Sequence, residues 1–201
     1  MAIRSLRGVR CVITGASRGI GKSIAISLAK AQASCLLIGR NQDALQETMS
    51  SCQDASTAAS HHVACGDVSE HEFWKTLKLP GDGVDVLVNA AGITHASLLL
   101  RTTPSSIQSI VQTNLMGTMW ASQIMAKKML RNKPSDTGKG CIINIASLLA
   151  IHGGAGSAAY AASKAGVVGL TRALAAELGP AGVRVNCVLP GYVETDMTKG
   201  R

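Results

Sequence analysis

Thr14-Gly15-Ala16-Ser17-Arg18-Gly19-Ile20-Gly21 is the stretch on which the fold turns. An apolar, β-branched run, Val9–Thr14, precedes it, and a helical pattern, Gly19–Ala31, follows it. The pattern TGxxxGxG at a strand-to-helix junction puts glycine where a backbone must come close to a pyrophosphate. The helix N-terminus behind it offers free N–H groups and a positive dipole end. The flanking strand and helix are the context this motif requires. Gly15, Ser17, Arg18, Gly19, Ile20 and Gly21 are therefore expected at a phosphorylated dinucleotide.

Outward from this junction, strand and helix patterns alternate. Short apolar runs occur at Val9–Thr14, Cys35–Gly39, His62–Cys65, Val84–Ala90, Cys141–Ala146 and Arg184–Leu189. Most are apolar throughout, as strands buried on both faces of a parallel sheet are. Helical patterns fill the gaps at Gly19–Ala31, Gln42–Ser51, Glu70–Leu77, Pro104–Leu130 and Ser157–Leu178, with Ser69 and Pro104 as plausible starts. The alternation predicts an α/β fold: a Rossmann-type, doubly wound parallel sheet with helices on both faces and right-handed crossovers. Neither a repeat nor a linker interrupts it, so residues 1–201 are expected to form one domain. The polar segment Arg131–Gly140, with Pro134 and two glycines, reads as a surface insertion.

Composition narrows the function classes. Apolar residues at 46% and charged residues at 16% exclude disorder over most of the chain. No apolar run reaches the roughly 18 residues of a membrane span. Aromatics are only Phe73, Trp74, Trp120, Tyr160 and Tyr192, which calls for an aliphatic core and argues against a nucleic-acid stacking platform. The net charge of +8 suits an anionic partner, such as a phosphorylated cofactor or an acidic carrier protein. Arg4, Arg7 and Arg10 open the chain, but the segment before the first strand is short for a cleavable presequence, and no apolar signal core is present. A mitochondrial matrix or cytoplasmic location is expected. None of Cys11, Cys35, Cys52, Cys65, Cys141 and Cys187 forms a CxxC pair, so they read as reduced thiols and no metal site is expected.

The second strand bears on the cofactor. A site for NAD places an acid at its end to hold the ribose 2′-OH, whereas a site for NADP uses arginine. Here the strand ends Ile38-Gly39-Arg40-Asn41, and Arg18 lies in the glycine loop. Arg18 and Arg40 suit a 2′-phosphate, so NADP(H) is expected, with Asn41 beside it.

A catalytic set follows. Asn89-Ala90-Ala91-Gly92 succeeds the fourth strand, Asn114 lies in the long helix, Ser147 ends the fifth strand, and Tyr160-Ala161-Ala162-Ser163-Lys164 opens the next helix. Tyr160 and Lys164 are four apart and share a helical face. A free phenol titrates near pH ~10. A neighbouring ammonium favours the phenolate, so Tyr160 can exchange a proton with a carbonyl oxygen that Ser147 polarises. Asn114 can organise the helix and a water chain toward Lys164.

These motifs, in this order and spacing, resemble the short-chain dehydrogenase/reductase superfamily. The stretches NAAGITHASLLLRT and SAAYAASKAGVVGLTRALAAELGPAGVRVNCVLPGYVETDMT look most like 3-oxoacyl-[acyl-carrier-protein] reductases and the carbonyl reductase family member 4 group. The resemblance implies NADPH-dependent reduction of a 3-oxoacyl thioester to a 3-hydroxyacyl thioester in fatty acid synthesis. It implies adenine contacts at Asp67 and Val68, cofactor contacts at Asn89, Ala90, Ala91, Gly92, Tyr160 and Lys164, and a nicotinamide loop with Pro190, Gly191, Val193 and Thr195. Lys127, Lys128, Arg131, Lys133 and Lys139 are a candidate landing surface for an acidic acyl carrier protein. Relatives run on past Arg201, so the chain is expected to be C-terminally short, without substrate-covering helices or a seventh strand, and to form a homo- or hetero-oligomer if that segment is supplied. A general carbonyl or quinone reductase, or a non-catalytic form that pairs with longer subunits, are the alternative readings.

Overall fold

The computed structural model of the chain describes residues 5–53, 59–81, 83–133 and 138–195. Six strands form one sheet: β1 (Arg10–Thr14), β2 (Ser34–Gly39), β3 (His61–Cys65), β4 (Val86–Asn89), β5 (Gly140–Ile145) and β6 (Val183–Val188). The order is β3-β2-β1-β4-β5-β6, and every pair is parallel. The strand order reverses between β1 and β4, so the crevice beyond their C-terminal ends is the place for a ligand in such a sheet.

Helices α1 (Gly19–Lys30), α2 (Gln42–Cys52), α3 (His71–Thr76), α4 (Pro104–Val111), α5 (Gly117–Met129), α6 (Leu149–His152) and α7 (Ala158–Leu178) carry the connections. Local chemistry starts several of them. Asn41 Oδ1 accepts from Ala44 N–H at 3.0 Å and caps α2. Thr103 Oγ1 accepts from Ser106 N–H at 3.2 Å, with Pro104 in the first turn of α4.

Strand alternation splits the core in two. Cys11, Ile13, Cys35, Leu37 and Val88 face Ala25, Ala29 and Leu45 of α1 and α2. Val12, Leu36, Ile38, Leu87 and Ile142 face Trp74, Ala121, Met125 and Met129 of α3 and α5. Aliphatic and thiol side chains supply nearly all of it. Trp74 is the one fully buried aromatic among the described residues.

Two expectations need correction. Pro104–Leu130 is not a single helix: a π-turn over Gln112–Met116 separates α4 from α5. Asn114 lies in this turn. A short helix, α6, follows Ser147 where none was predicted. β3 and β6 each pair with only one strand among those described, and part of each is exposed. Of the Arg131–Gly140 segment, residues 134–137 lie outside the described part. Arg131 and Lys133 are exposed as expected, but Asn132 is anchored through Nδ2 to Val84 O (2.8 Å) and Lys139 O (2.9 Å).

Candidate active site

The crevice at the β1–β4 reversal is lined at one end by Gly15, Ser17, Arg18, Gly19, Ile20, Gly21, Arg40, Asp67 and Val68, and at the other by Ser147, Tyr160, Lys164, Pro190, Gly191, Val193 and Thr195. Ala90, Ala91 and Gly92 form its floor between them. It holds a cavity of about 200 Å³.

The glycine loop is built for close approach. Gly15 has φ +66°, and a Cβ there would stand 2.7 Å from Ala91 N and Cα. A Cβ on Gly21 would run into Gly15 O. The two loops are locked together by Thr14, whose Oγ1 accepts from Ala90 N–H and Ala91 N–H, each at 3.1 Å. Arg18, extended at φ −162°, starts α1 without a side-chain cap, and no acid sits in the first turn. The N-terminal N–H groups and dipole of α1 are thus left to an external anion. These features fit a nicotinamide dinucleotide: Gly15 and Gly21 let the loop close tightly on Ala91 and on itself at the start of α1, α1 offers N–H donors to a pyrophosphate, and Arg18 and Arg40 offer positive charge.

At the end formed by the loops after β2 and β3, Asp67 Oδ1 accepts from Ser69 N–H (2.9 Å) and Ser69 Oγ (2.7 Å), while Oδ2 lies 3.6 Å from Arg40 Nη1. Val68 is held by its carbonyl, which accepts from buried Trp74 Nε1 at 2.9 Å.

At the other end, Lys164 is 5% exposed. Its Nζ donates to Ile145 O at 2.7 Å and lies 5.9 Å from the centre of the Tyr160 ring. Burial pulls its pKa from 10.5 down to about 8, so the ammonium still prevails at neutral pH. Ser147 Oγ accepts from Leu149 N–H at 3.2 Å, which leaves the hydroxyl proton to donate elsewhere.

Asn114 sits behind this wall, fully buried. Its Oδ1 accepts from Ile93 N–H at 2.8 Å, and Nδ2 donates to Ile93 O and Ser163 Oγ, each at 3.0 Å. Ser163 Oγ in turn donates to Tyr160 O at 2.7 Å. Asn114 therefore fixes the Gly92–Ile93 segment against the first turn of α7.

Two of the expected cofactor residues do not line the crevice. Asn41 is the cap of α2. Asn89 is 3% exposed and turns into the sheet, where Nδ2 donates to Ser122 Oγ (3.2 Å) and Asn144 Oδ1 (2.9 Å). Conversely, Gly39, Gly66, Ile93, Thr113, Ile145 and Ala146 line it without having been singled out. Gly39 and Gly66 had a signal: Gly39 is the last residue of β2 and Gly66 directly follows β3, both at the crevice end of the sheet. The basic cluster lies at the opposite end of the sheet. Asn132 bonds to Val84 O, and Lys139 N–H donates to Gly182 O at 2.7 Å, just ahead of β4 and β6.

No group of His, Cys, Asp and Glu among the described residues is arranged to hold a metal. No helix among them is long and apolar enough to cross a membrane.

The comparisons with known proteins agree with this geometry. The chain is 35% identical over 196 residues to the 3-oxoacyl-[acyl-carrier-protein] reductase FabG of Aquifex aeolicus, covering 96% of this chain and 77% of that one. It is 38% identical over 194 residues to carbonyl reductase family member 4 of Danio rerio, covering 94% and 77%. A solved structure from Beutenbergia cavernae, described as an NAD(P)-dependent gluconate 5-dehydrogenase with NADP bound at low occupancy, superposes with a TM-score of 0.83 at 37% identity, covering 96% and 76%. The short chain dehydrogenase family profile matches residues 10–201, and the chain belongs to that family.

Proposed function

We propose that this chain reduces a ketone with NADPH, taking a 3-oxoacyl thioester to a 3-hydroxyacyl thioester. The observation that carries the reading is a buried ammonium, Lys164, beside Tyr160, with both lining one crevice together with Ser147 and the glycine loop. The likeness to 3-oxoacyl-[acyl-carrier-protein] reductases supports the acyl substrate. The absence of an acid at the end of β2, with Arg18 and Arg40 on the crevice, supports NADP(H) over NAD(H). Six free cysteines support a reducing compartment, the mitochondrial matrix or the cytoplasm.

The bound nicotinamide group supplies the hydride. Ser147 donates its free hydroxyl proton to the substrate carbonyl oxygen and polarises it. Tyr160 O–H gives that oxygen its proton. Lys164, desolvated but charged, stabilises the phenolate left behind. Its bond to Ile145 O uses one of three protons and fixes the direction of the side chain. Asn114 holds the Gly92–Ile93 floor so that Tyr160 and Lys164 keep their places.

NADPH oxidation in the presence of acetoacetyl thioesters tests the reading. Tyr160→Phe is expected to lower kcat by at least about 100-fold, the scale of general acid catalysis, while NADPH still raises the melting temperature by binding. Undiminished turnover in Tyr160→Phe rules the mechanism out. Turnover of o-quinones without turnover of thioesters redirects the substrate class.

A further inference from the structure

Two arginines reach the adenosine end of the crevice, but they are not equivalent. Among the described residues Arg18 makes no ion pair, whereas Arg40 faces Asp67, with Nη1 3.6 Å from Oδ2. Asp67 is not free to swing aside, because its other oxygen is held by both the N–H and the Oγ of Ser69. The strand ends that carry the two residues are also tied together. Gly66 N–H donates to Gly39 O at 2.8 Å, and Cys65 Sγ donates to Arg40 O at 3.3 Å. A fixed carboxylate thus stands against the cation expected to attract a 2′-phosphate, and both side chains line the crevice.

We propose that Asp67 is a specificity-determining residue: its carboxylate competes with the 2′-phosphate of the cofactor for the Arg40 guanidinium and so holds down the preference for NADP(H) over NAD(H). This rests on reading the crevice as a nicotinamide dinucleotide site. The physics is a substitution of anions. The 2′-phosphate carries more charge than a carboxylate and accepts more hydrogen bonds, so it can displace Asp67, but part of its gain goes to breaking the existing pair. The ribose of NAD brings no anion and leaves the pair intact. The arginine side chain is 63% exposed, so the competition has the modest scale of a surface ion pair and weakens as salt rises.

Calorimetric titration of the whole chain with adenosine 2′,5′-bisphosphate and with adenosine 5′-monophosphate tests this without any turnover. The quantity read is the ratio of the two dissociation constants, in which any change of adenine contact cancels. Asp67→Asn keeps an acceptor for Ser69 and removes the charge. It is expected to raise the preference for the 2′-phosphate by about fivefold at low salt. The gain should largely vanish in the Arg40→Ala background, because the partner competed for is then gone. An unchanged or lower ratio in Asp67→Asn overturns the proposal. So does an equal gain with and without Arg40, which would make Asp67 a mere contributor to the local field. Failure of the underlying reading looks different: neither ligand binds the wild type, or the wild type, Arg40→Ala and Asp67→Asn all bind the two ligands alike.

Discussion

Lys164 shows what a single buried charge costs and supplies. Desolvation lowers its pKa from 10.5 to about 8. A lysine depressed in the folded state binds its proton less tightly than in the unfolded chain. Between those two values the unfolded state holds more protons, so stability rises with pH there. Below about pH 8 the folded protein bears the full cost of the buried ammonium, about 3 kcal/mol for this shift. Urea unfolding of the wild type and Lys164→Met checks this. The wild type is expected to gain roughly 2–3 kcal/mol relative to the variant as pH rises from about 8 to about 10. A constant difference would mean that Lys164 is solvated in the folded protein. The same variant removes the group that favours the phenolate, so turnover should be lost even where stability improves. The Tyr160–Lys164 spacing was readable in the sequence, and so was its chemistry. The burial was not, because it comes from β5 and Gly92, residues distant in sequence. A Cβ on Gly92 would lie 3.4 Å from Lys164 Nζ.

At the scale of elements, the sheet is held behind the crevice by polar groups that apolar periodicity does not register. Asn89 of β4 donates to Asn144 of β5 at 2.9 Å, and Asn144 Nδ2 donates to Thr171 Oγ1 of α7, also at 2.9 Å. Asn144 is fully buried. Its place in Ile142-Ile143-Asn144-Ile145 was a legible anomaly, since an amide in an apolar strand must find partners; which partners it finds depends on the assembled sheet. Asn144→Ala leaves Asn89 and Thr171 each short of a bond and opens a small cavity. The expected cost is about 2–4 kcal/mol in denaturant unfolding, or a fall of roughly 5–15 °C in Tm. A loss within about 0.5 kcal/mol would mean that the neighbours find other partners. Strand and helix positions were otherwise legible to within a few residues, because alternating short apolar runs and amphipathic stretches admit few topologies. The π-turn at Asn114 was not. Asn114 in that turn bonds to Ile93 and Ser163, contacts far apart in the chain that a local pattern does not register.

Across the whole molecule, chemistry and fastening occupy opposite ends of the same strands. The crevice begins where β1 ends at Thr14, and the first residue of β1, Arg10, belongs to a polar clasp roughly 13 Å away by strand rise. Arg10 Nε and Nη2 donate to Asp85 Oδ2 (2.8 Å) and Oδ1 (2.9 Å), Arg10 N–H adds a third bond at 2.9 Å, and Asn132 Nδ2 adds one at 3.2 Å. The clasp joins the entry of β1, the entry of β4 and the segment after α5. Burial pushes the Asp85 carboxyl up, but the hydrogen bonds and charge of Arg10 outweigh it and leave its pKa below the usual 3.8. A carboxylate depressed in the folded state contributes stability above its unfolded pKa and loses it as pH falls through the folded one. Asp85→Asn should therefore be less stable at neutral pH by about 1–2 kcal/mol, a modest figure because the pair is about a third exposed. The two proteins should converge as pH falls below 3.8 and through the depressed folded-state pKa of Asp85, where its carboxyl becomes neutral like the amide. Because the clasp touches nothing in the crevice, kcat and KM should stay within about twofold while the protein is folded. A selective loss of kcat in Asp85→Asn would show that the two ends of the sheet are coupled through β1 and β4, and that the separation drawn from the geometry is wrong.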